Sequence, residues 1–282
     1  MTVATICICG AGTMGSGIAQ VAATAGYHVL IFDVVPESLQ RSKKLIESQL
    51  DQLVSKNKLQ AEEARAILLR IRWVQEINDC IADLIIEAVI EKEAIKVALF
   101  NQLAEVNHSE TIFATNTSSL SVTSIAEKVM HPNRVIGMHF FNPAPLMKLV
   151  EVVSTPFTLP EVTETIEAIA KQMGKLTVRC TDAPGFIVNH VARPYYLEAL
   201  RLMESGMAAP EDIDRVLEAS GFRMGPFKLM DLIGNDINYA VSCSVYEQLG
   251  QPDRLKPSAI QEEKVRTGKL GRKSGEGYYQ YQ

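Results

Sequence analysis

The 282-residue sequence predicts an α/β protein, a doubly wound parallel sheet with an inserted helical hairpin, followed by an all-helical domain. Three observations predict it. A strand, a glycine turn, a helix and a second strand ending in an acid open the chain, as in a dinucleotide-binding βαβ unit. Apolar strands then alternate with amphipathic helices to about residue 181, the pattern of a sheet covered on both faces. Beyond 182–185 (Asp-Ala-Pro-Gly) strand alternation stops and helical periodicity takes over. At about 150 residues per domain the length suits two domains, placed at 1–183 and 184–282.

The elements follow in order. Residues 3–9 are apolar strand formers leading into Gly10-Ala11-Gly12-Thr13-Met14-Gly15. Ile18, Val21, Ala22 and Ala25 continue as a helix that stops at Gly26, and 28–32 form a strand ending at Asp33. This is the Rossmann-like order. The glycines permit a tight turn and close approach of backbone to a pyrophosphate, and the helix N-terminus offers N–H groups to that anion. Asp33 is placed to accept hydrogen bonds from ribose hydroxyls. Its charge opposes a 2′-phosphate, which favours NAD over NADP.

Residues 36–72 are too long for one connecting helix. Leu39, Ile46, Leu50 and Leu53 share a face, Asn57 interrupts, and 61–69 resumes, so a helical hairpin is expected. It carries eight Lys/Arg against five Asp/Glu in a chain of net charge -5. A solvated helical face and a surface for an anionic ligand both fit that charge. Further strands are expected at 84–87, 111–114, 135–138, 149–153 and 176–179. Helices are expected at 91–106 and after Pro160, a residue well suited to a first helical position. The second domain should begin with a helix over 186–205 that tolerates Pro194. Another helix follows at 210–219, and a third within 227–249.

Composition excludes several classes. With 47% hydrophobic and 22% charged residues, the chain is neither disordered nor collagen-like. No basic domain points to nucleic acid. No apolar run reaches the ~20 residues of a membrane span, and no signal-peptide order is present, so a cytoplasmic protein is expected. Cys7, Cys9, Cys80, Cys180 and Cys243 form no C-x-x-C pair and no zinc spacing. No metal is expected, and the thiols read as small buried hydrophobes in a reducing compartment.

Topology nominates the chemistry. Ligands of such sheets bind at the C-terminal ends of the strands. The glycine turn, 116–119 (Asn-Thr-Ser-Ser) and His139 should share that rim. An imidazole suits proton transfer near neutrality, as oxidation of an alcohol by NAD requires. Glu151 lies inside the apolar stretch 149–153, and a carboxylate buried there needs a partner, for which His139 is the economical choice. A structural histidine and an exposed edge-strand glutamate fit the same residues.

The motifs GAGTMG (10–15), IEAVIE (86–91), TNTSSLS (115–121), HFFNPAP (139–145), KLVEVV (148–153), PGFIVN (184–189), MGPF (224–227) and GRKSGEG (271–277) occur together and in order. With them the chain closely resembles the short-chain-length L-3-hydroxyacyl-CoA dehydrogenase family over essentially its whole length. VARPYYLEALR and DLIGNDINYAVSCSVYE look most like its 3-hydroxyadipyl-CoA and 3-hydroxybutyryl-CoA subgroups. The resemblance implies NAD-dependent oxidation of L-3-hydroxyacyl-CoA to 3-oxoacyl-CoA and the reverse. The 3-hydroxybutyryl thioester is the first choice of substrate and the 3-hydroxyadipyl thioester the alternative.

The resemblance also implies roles. His139 would be the general base, oriented by Glu151. Ser118, Asn142 and Asn189 would position substrate, with Ser118 and Asn189 acting in catalysis. Glu91, Lys96, Asn116 and Lys273 would contact NAD beside Gly10, Gly12, Thr13, Met14, Gly15 and Asp33. Lys56 matches a basic position that holds coenzyme A, which lifts the ligand reading of the hairpin. The second domain would close over substrate and form a homodimer. His190 departs from the usual arginine after the asparagine, and Gln49 from a serine near the coenzyme A site. Arg193 is a candidate to read a distal acyl carboxylate. Two other readings compete. Many dehydrogenases of free 3-hydroxy acids use a lysine in the helix after the domain boundary, and 186–201 has none. A dinucleotide sensor would need no general base.

Overall fold

Eight strands form one sheet in the order β3-β2-β1-β4-β5-β6-β7-β8, where β1 is Thr5–Cys9, β2 His28–Phe32, β3 Ile71–Val74, β4 Leu84–Glu87, β5 Ile112–Thr115, β6 Val135–Phe140, β7 Leu149–Ser154 and β8 Leu176–Thr181. The structure, a computed structural model, describes residues 3–281. It divides into two units, one ending at Asp182 and the other starting at Ala183.

Strands β1 to β6 run parallel. Strand β7 is antiparallel to β6, and β8 is parallel to β7. The parallel expectation therefore fails at the β6–β7 step. Only eight residues, 141–148, connect those strands, and a parallel crossover needs a dozen or more. The side chains of β4, β5 and β6 are buried along their whole length, which is why these strands read as continuous apolar runs. Helices α1 (Thr13–Thr24), α4 (Glu93–Val106), α5 (Val122–Ala126) and α6 (Pro160–Gln172) accompany the strands. Ile18, Ala22, Ile166 and Ala170 are among the residues these helices bury in the core with Ile6, Ile8, Ile31, Ile86 and Val150.

Helices α2 (Pro36–Ser55) and α3 (Ala61–Leu69) fill the long insertion. Ser42, Ile46 and Leu50 are the buried face of α2, while Arg41, Lys43 and Lys44 stand exposed. The insertion expected over 36–72 gives up residues 71 and 72, because 71–74 joins the sheet as its edge strand β3.

The second unit contains α7 (Val188–Glu204), α8 (Pro210–Ala219), α9 (Pro226–Ile233), α10 (Asn235–Gln248) and α11 (Ala259–Arg266). Leu197, Leu200, Phe227, Met230 and Val245 lie at its core. The single helix expected within 227–249 is two, broken at Gly234, whose φ of 104° belongs to the left-handed half of backbone space. Arg193, on α7, is 2% exposed. Its Nε donates to the Asn189 carbonyl at 2.9 Å, and its Nη1 donates to the Asn238 carbonyl at 3.0 Å and Ser242 Oγ at 2.9 Å. Burial lowers its pKa to about 10. A guanidinium committed to these acceptors braces α7 against α10, and the carboxylate-reading role expected of it finds no support.

Candidate active site

The first βα turn is shaped by its glycines. Gly10 has φ 106°, and a side chain there would meet the Ala88 carbonyl oxygen at 2.6 Å. A Cβ on Gly15 would lie 1.8 Å from the Gly10 oxygen, so α1 can start this close to β1 only with glycine. Beside Gly12 the space is open. Helix α1 has no side-chain cap, and Gly12 and Thr13 are exposed, so its first N–H groups face solvent as an anion site requires. Asp33 closes the turn by accepting from Ala11 N at 2.8 Å and Val35 N at 2.9 Å. Each carboxylate oxygen keeps a second lone pair for a hydroxyl. This set of groups fits a dinucleotide pyrophosphate and its ribose.

The other loops of the rim are bonded to one another. Ala88 N donates to the Cys9 carbonyl, and Asn116 N to the Glu87 carbonyl. Asn116 Oδ1 accepts from Phe140 N at 2.8 Å, which fixes the end of β5 to the end of β6. Thus Asn116 spends its carbonyl on the scaffold of the site.

His139 lies inside β6, one residue before its end, and is 5% exposed. The antiparallel register sets Glu151 directly opposite it. Paired residues of an antiparallel ladder project to the same face. His139 Nδ1 and Glu151 Oε2 are accordingly 2.7 Å apart, with Glu151 fully buried. The exposed edge-strand alternative for Glu151 is excluded, since β8 covers the far side of β7. A carboxylate only accepts, so Nδ1 donates in this bond, and in the neutral imidazole that leaves the lone pair on Nε2. The Phe141 ring packs on the imidazole with centroids 4.6 Å apart.

A second polar group lies under the loop after β5. Lys96, 1% exposed, donates from Nζ to Glu87 Oε1 at 2.6 Å and lies 3.1 Å from Glu91 Oε2. Glu91 Oε1 accepts from Thr117 Oγ1 at 2.5 Å, Ser118 N at 3.0 Å, Ser119 N at 3.2 Å and Ser119 Oγ at 3.0 Å. Burial pushes the Glu87 carboxyl up, against the opposing pull of the Lys96 ammonium. Glu91 is also desolvated, but Lys96 and the Thr117 hydroxyl together hold it below the usual carboxylate range. Both Glu91 and Lys96 therefore serve the Ser118 loop, with Lys96 set back in the interior.

Lys56 is exposed at the C-cap of α2, and Asn142 is exposed ahead of a cis bond to Pro143. In the second unit Asn189 is half-buried and Lys273 is exposed, and Lys273 pairs with Asp236 at 2.6 Å. His190 shares a hydrogen bond of 3.0 Å with the Pro184 carbonyl, so its Nδ1 donates there and holds the turn before α7.

Sequence reasoning missed Glu87, Thr115 and Lys175. The rule applied to Glu151, an acid inside an apolar strand, would have found Glu87 at the end of β4. Lys175 Nζ donates to the carbonyls of Ala144 at 2.5 Å and Met147 at 2.8 Å, pinning the loop that follows His139, and burial lowers its pKa. No motif announced it.

A dinucleotide cradle and a buried imidazole–carboxylate pair on one rim define a nicotinamide-dependent dehydrogenase. Residues 5–183 match the model of the 3-hydroxyacyl-CoA dehydrogenase NAD-binding domain, and residues 185–281 that of the 3-hydroxyacyl-CoA dehydrogenase C-terminal domain. The chain belongs to the 3-hydroxyacyl-CoA dehydrogenase family, and its cofactor is NAD. It is 50% identical over 283 residues to the 3-hydroxyadipyl-CoA dehydrogenase of Escherichia coli, covering all of this chain and 60% of that protein's length. A probable 3-hydroxybutyryl-CoA dehydrogenase of Deinococcus radiodurans is 41% identical, over 97% of this chain and 99% of its own. Among solved structures, the (S)-3-hydroxybutyryl-CoA dehydrogenase of Ralstonia eutropha superposes with a TM-score of 0.95 at 36% identity, both chains fully covered.

Proposed function

We propose that this protein interconverts L-3-hydroxyacyl-CoA and 3-oxoacyl-CoA with NAD. The observation that carries the reading is the buried 2.7 Å contact between His139 Nδ1 and Glu151. NAD held by the glycine turn and Asp33 would supply the hydride acceptor for C3 of the alcohol. His139 Nε2 takes the hydroxyl proton as the C3–O bond becomes a carbonyl, and returns it in the reverse direction. Glu151 holds the ring in the useful tautomer and stabilises the imidazolium that forms. Ser118, at the mouth of the adjacent loop, positions the oxygen at C3. Asn142 and Asn189 complete substrate binding, Lys56 holds coenzyme A, and Lys273 contacts NAD, on the strength of the motif resemblance. A homodimer joined through the second domain and a cytoplasmic location belong to the same reading. No helix among the described residues is long and apolar enough to cross a membrane, which is compatible with it.

A 3-hydroxybutyryl chain is the preferred acyl group, because Arg193, the sequence's candidate for a distal carboxylate, is engaged in bracing its own unit. The 50% identity to the Escherichia coli protein favours 3-hydroxyadipyl as the second reading. The test is NADH oxidation with acetoacetyl-CoA, 3-oxoadipyl-CoA and free acetoacetate in parallel. The fastest turnover is expected on acetoacetyl-CoA and none on the free acid. A faster dicarboxylic thioester would establish the second reading, and turnover of free acetoacetate at the thioester's rate would refute both.

A further inference from the structure

We infer that Glu87 is a positioning residue for Ser118, acting through two arms that both end in the 115–119 loop. The first arm runs from Glu87 Oε1 to Lys96 at 2.6 Å, from Lys96 to Glu91 at 3.1 Å, and from Glu91 to the Ser118 N–H at 3.0 Å. The second runs from Glu87 Oε2, which accepts from Thr115 Oγ1 at 2.7 Å, to Thr117, whose N–H donates to Thr115 Oγ1 at 3.3 Å. Glu87 also accepts from Val89 N at 2.7 Å, so the carboxylate is fixed at the end of β4.

The arrangement has the marks of a strut. Lys96 sits in the first turn of α4, where the helix dipole disfavours a cation, and it is buried. Only the two carboxylates make that placement tolerable. Glu91, whose side chain is 36% exposed, would sample many rotamers in an open loop, and its link to Lys96 holds it under the N–H groups it binds. Charge-assisted bonds are the strong members of such networks. Removing the Glu87 charge therefore loosens Lys96, then Glu91, then Ser118, without touching any group that meets substrate.

The inference rests on the substrate role proposed for Ser118, and the test separates the two. Amide hydrogen exchange and steady-state kinetics are measured on the full chain for Glu87→Gln, Ser118→Ala and the double variant. Glu87→Gln is expected to speed exchange at Ser118 and Ser119 by about tenfold or more while the amides of β1 and β5 keep their protection. Its kcat should fall about tenfold with KM little changed. The double variant should lose no more than Ser118→Ala alone, because both act through one group. Should Glu87→Gln not fold, Thr115→Val removes one arm only and should speed the same exchange several-fold. Unchanged exchange at Ser118 and Ser119, or losses that multiply in the double variant, would overturn the strut. Full turnover by Ser118→Ala would overturn the role of Ser118, with the exchange data still deciding whether Glu87 orders the loop.

Discussion

Replacing Glu151 by glutamine removes one charge and almost no volume, so it isolates what the carboxylate does for His139. Two unit charges 2.7 Å apart attract by about 6 kcal/mol at an effective dielectric of ~20. In a transition state with the proton about half transferred, the imidazole carries about half a charge, so the carboxylate contributes about 3 kcal/mol. At 1.36 kcal/mol per tenfold this is a kcat loss of roughly 10²-fold. The amide oxygen of glutamine can still accept from Nδ1, so ring orientation and fold should survive. The assay is NADH oxidation at saturating thioester, with NADH affinity from a fluorescence titration of the same preparation. Affinity within about twofold and kcat down about a hundredfold is the expected pair of results. A kcat within about threefold of the parent, in a protein that binds NADH normally, would refute the electrostatic role.

Three further outcomes follow from the geometry. Gly15→Ala forces a methyl to within 1.8 Å of the Gly10 oxygen, so the turn must distort. Stability should fall by about 1–3 kcal/mol in a denaturant titration, and NADH binding should be lost. Asp33→Asn keeps the shape but removes the charge, and the preference for NAD over NADP should drop by about tenfold or more in paired binding titrations. Arg193→Ala leaves the Asn189 and Asn238 carbonyls and Ser242 Oγ without this donor, which costs about 1–3 kcal/mol for each group left unsatisfied. The melting temperature should fall while the ratio of butyryl to adipyl turnover stays unchanged.

The nucleotide-binding half of the rim was legible because its constraints are local. Gly10 and Gly15 are dictated by contacts within one βα turn, and Asp33 by the next strand end, so residue type and spacing carry the information. The pairing of His139 with Glu151 was legible only as chemistry, an acid in an apolar run in want of a partner. Its geometry depends on β7 running antiparallel, and LVEVVS has the same composition in either direction. The short 141–148 connection held that signal. The Glu87–Lys96–Glu91 group was harder to see. The resemblance implies that Glu91 and Lys96 contact the cofactor, and no motif showed that bonds within the protein also tie both to the Ser118 loop. The break at Gly234 and the burial of Arg193 depend on packing between helices, which periodicity along one segment does not report.

In the proposed reaction His139 moves the proton of the substrate hydroxyl. His139→Gln tests it most directly, measured as kcat on acetoacetyl-CoA and as NADH affinity in one preparation. A loss of about 10²- to 10⁴-fold in kcat with NADH binding intact is predicted. Turnover close to that of the parent protein would contradict it, and so would a variant that loses NADH binding and fold together, since that would make His139 a structural residue.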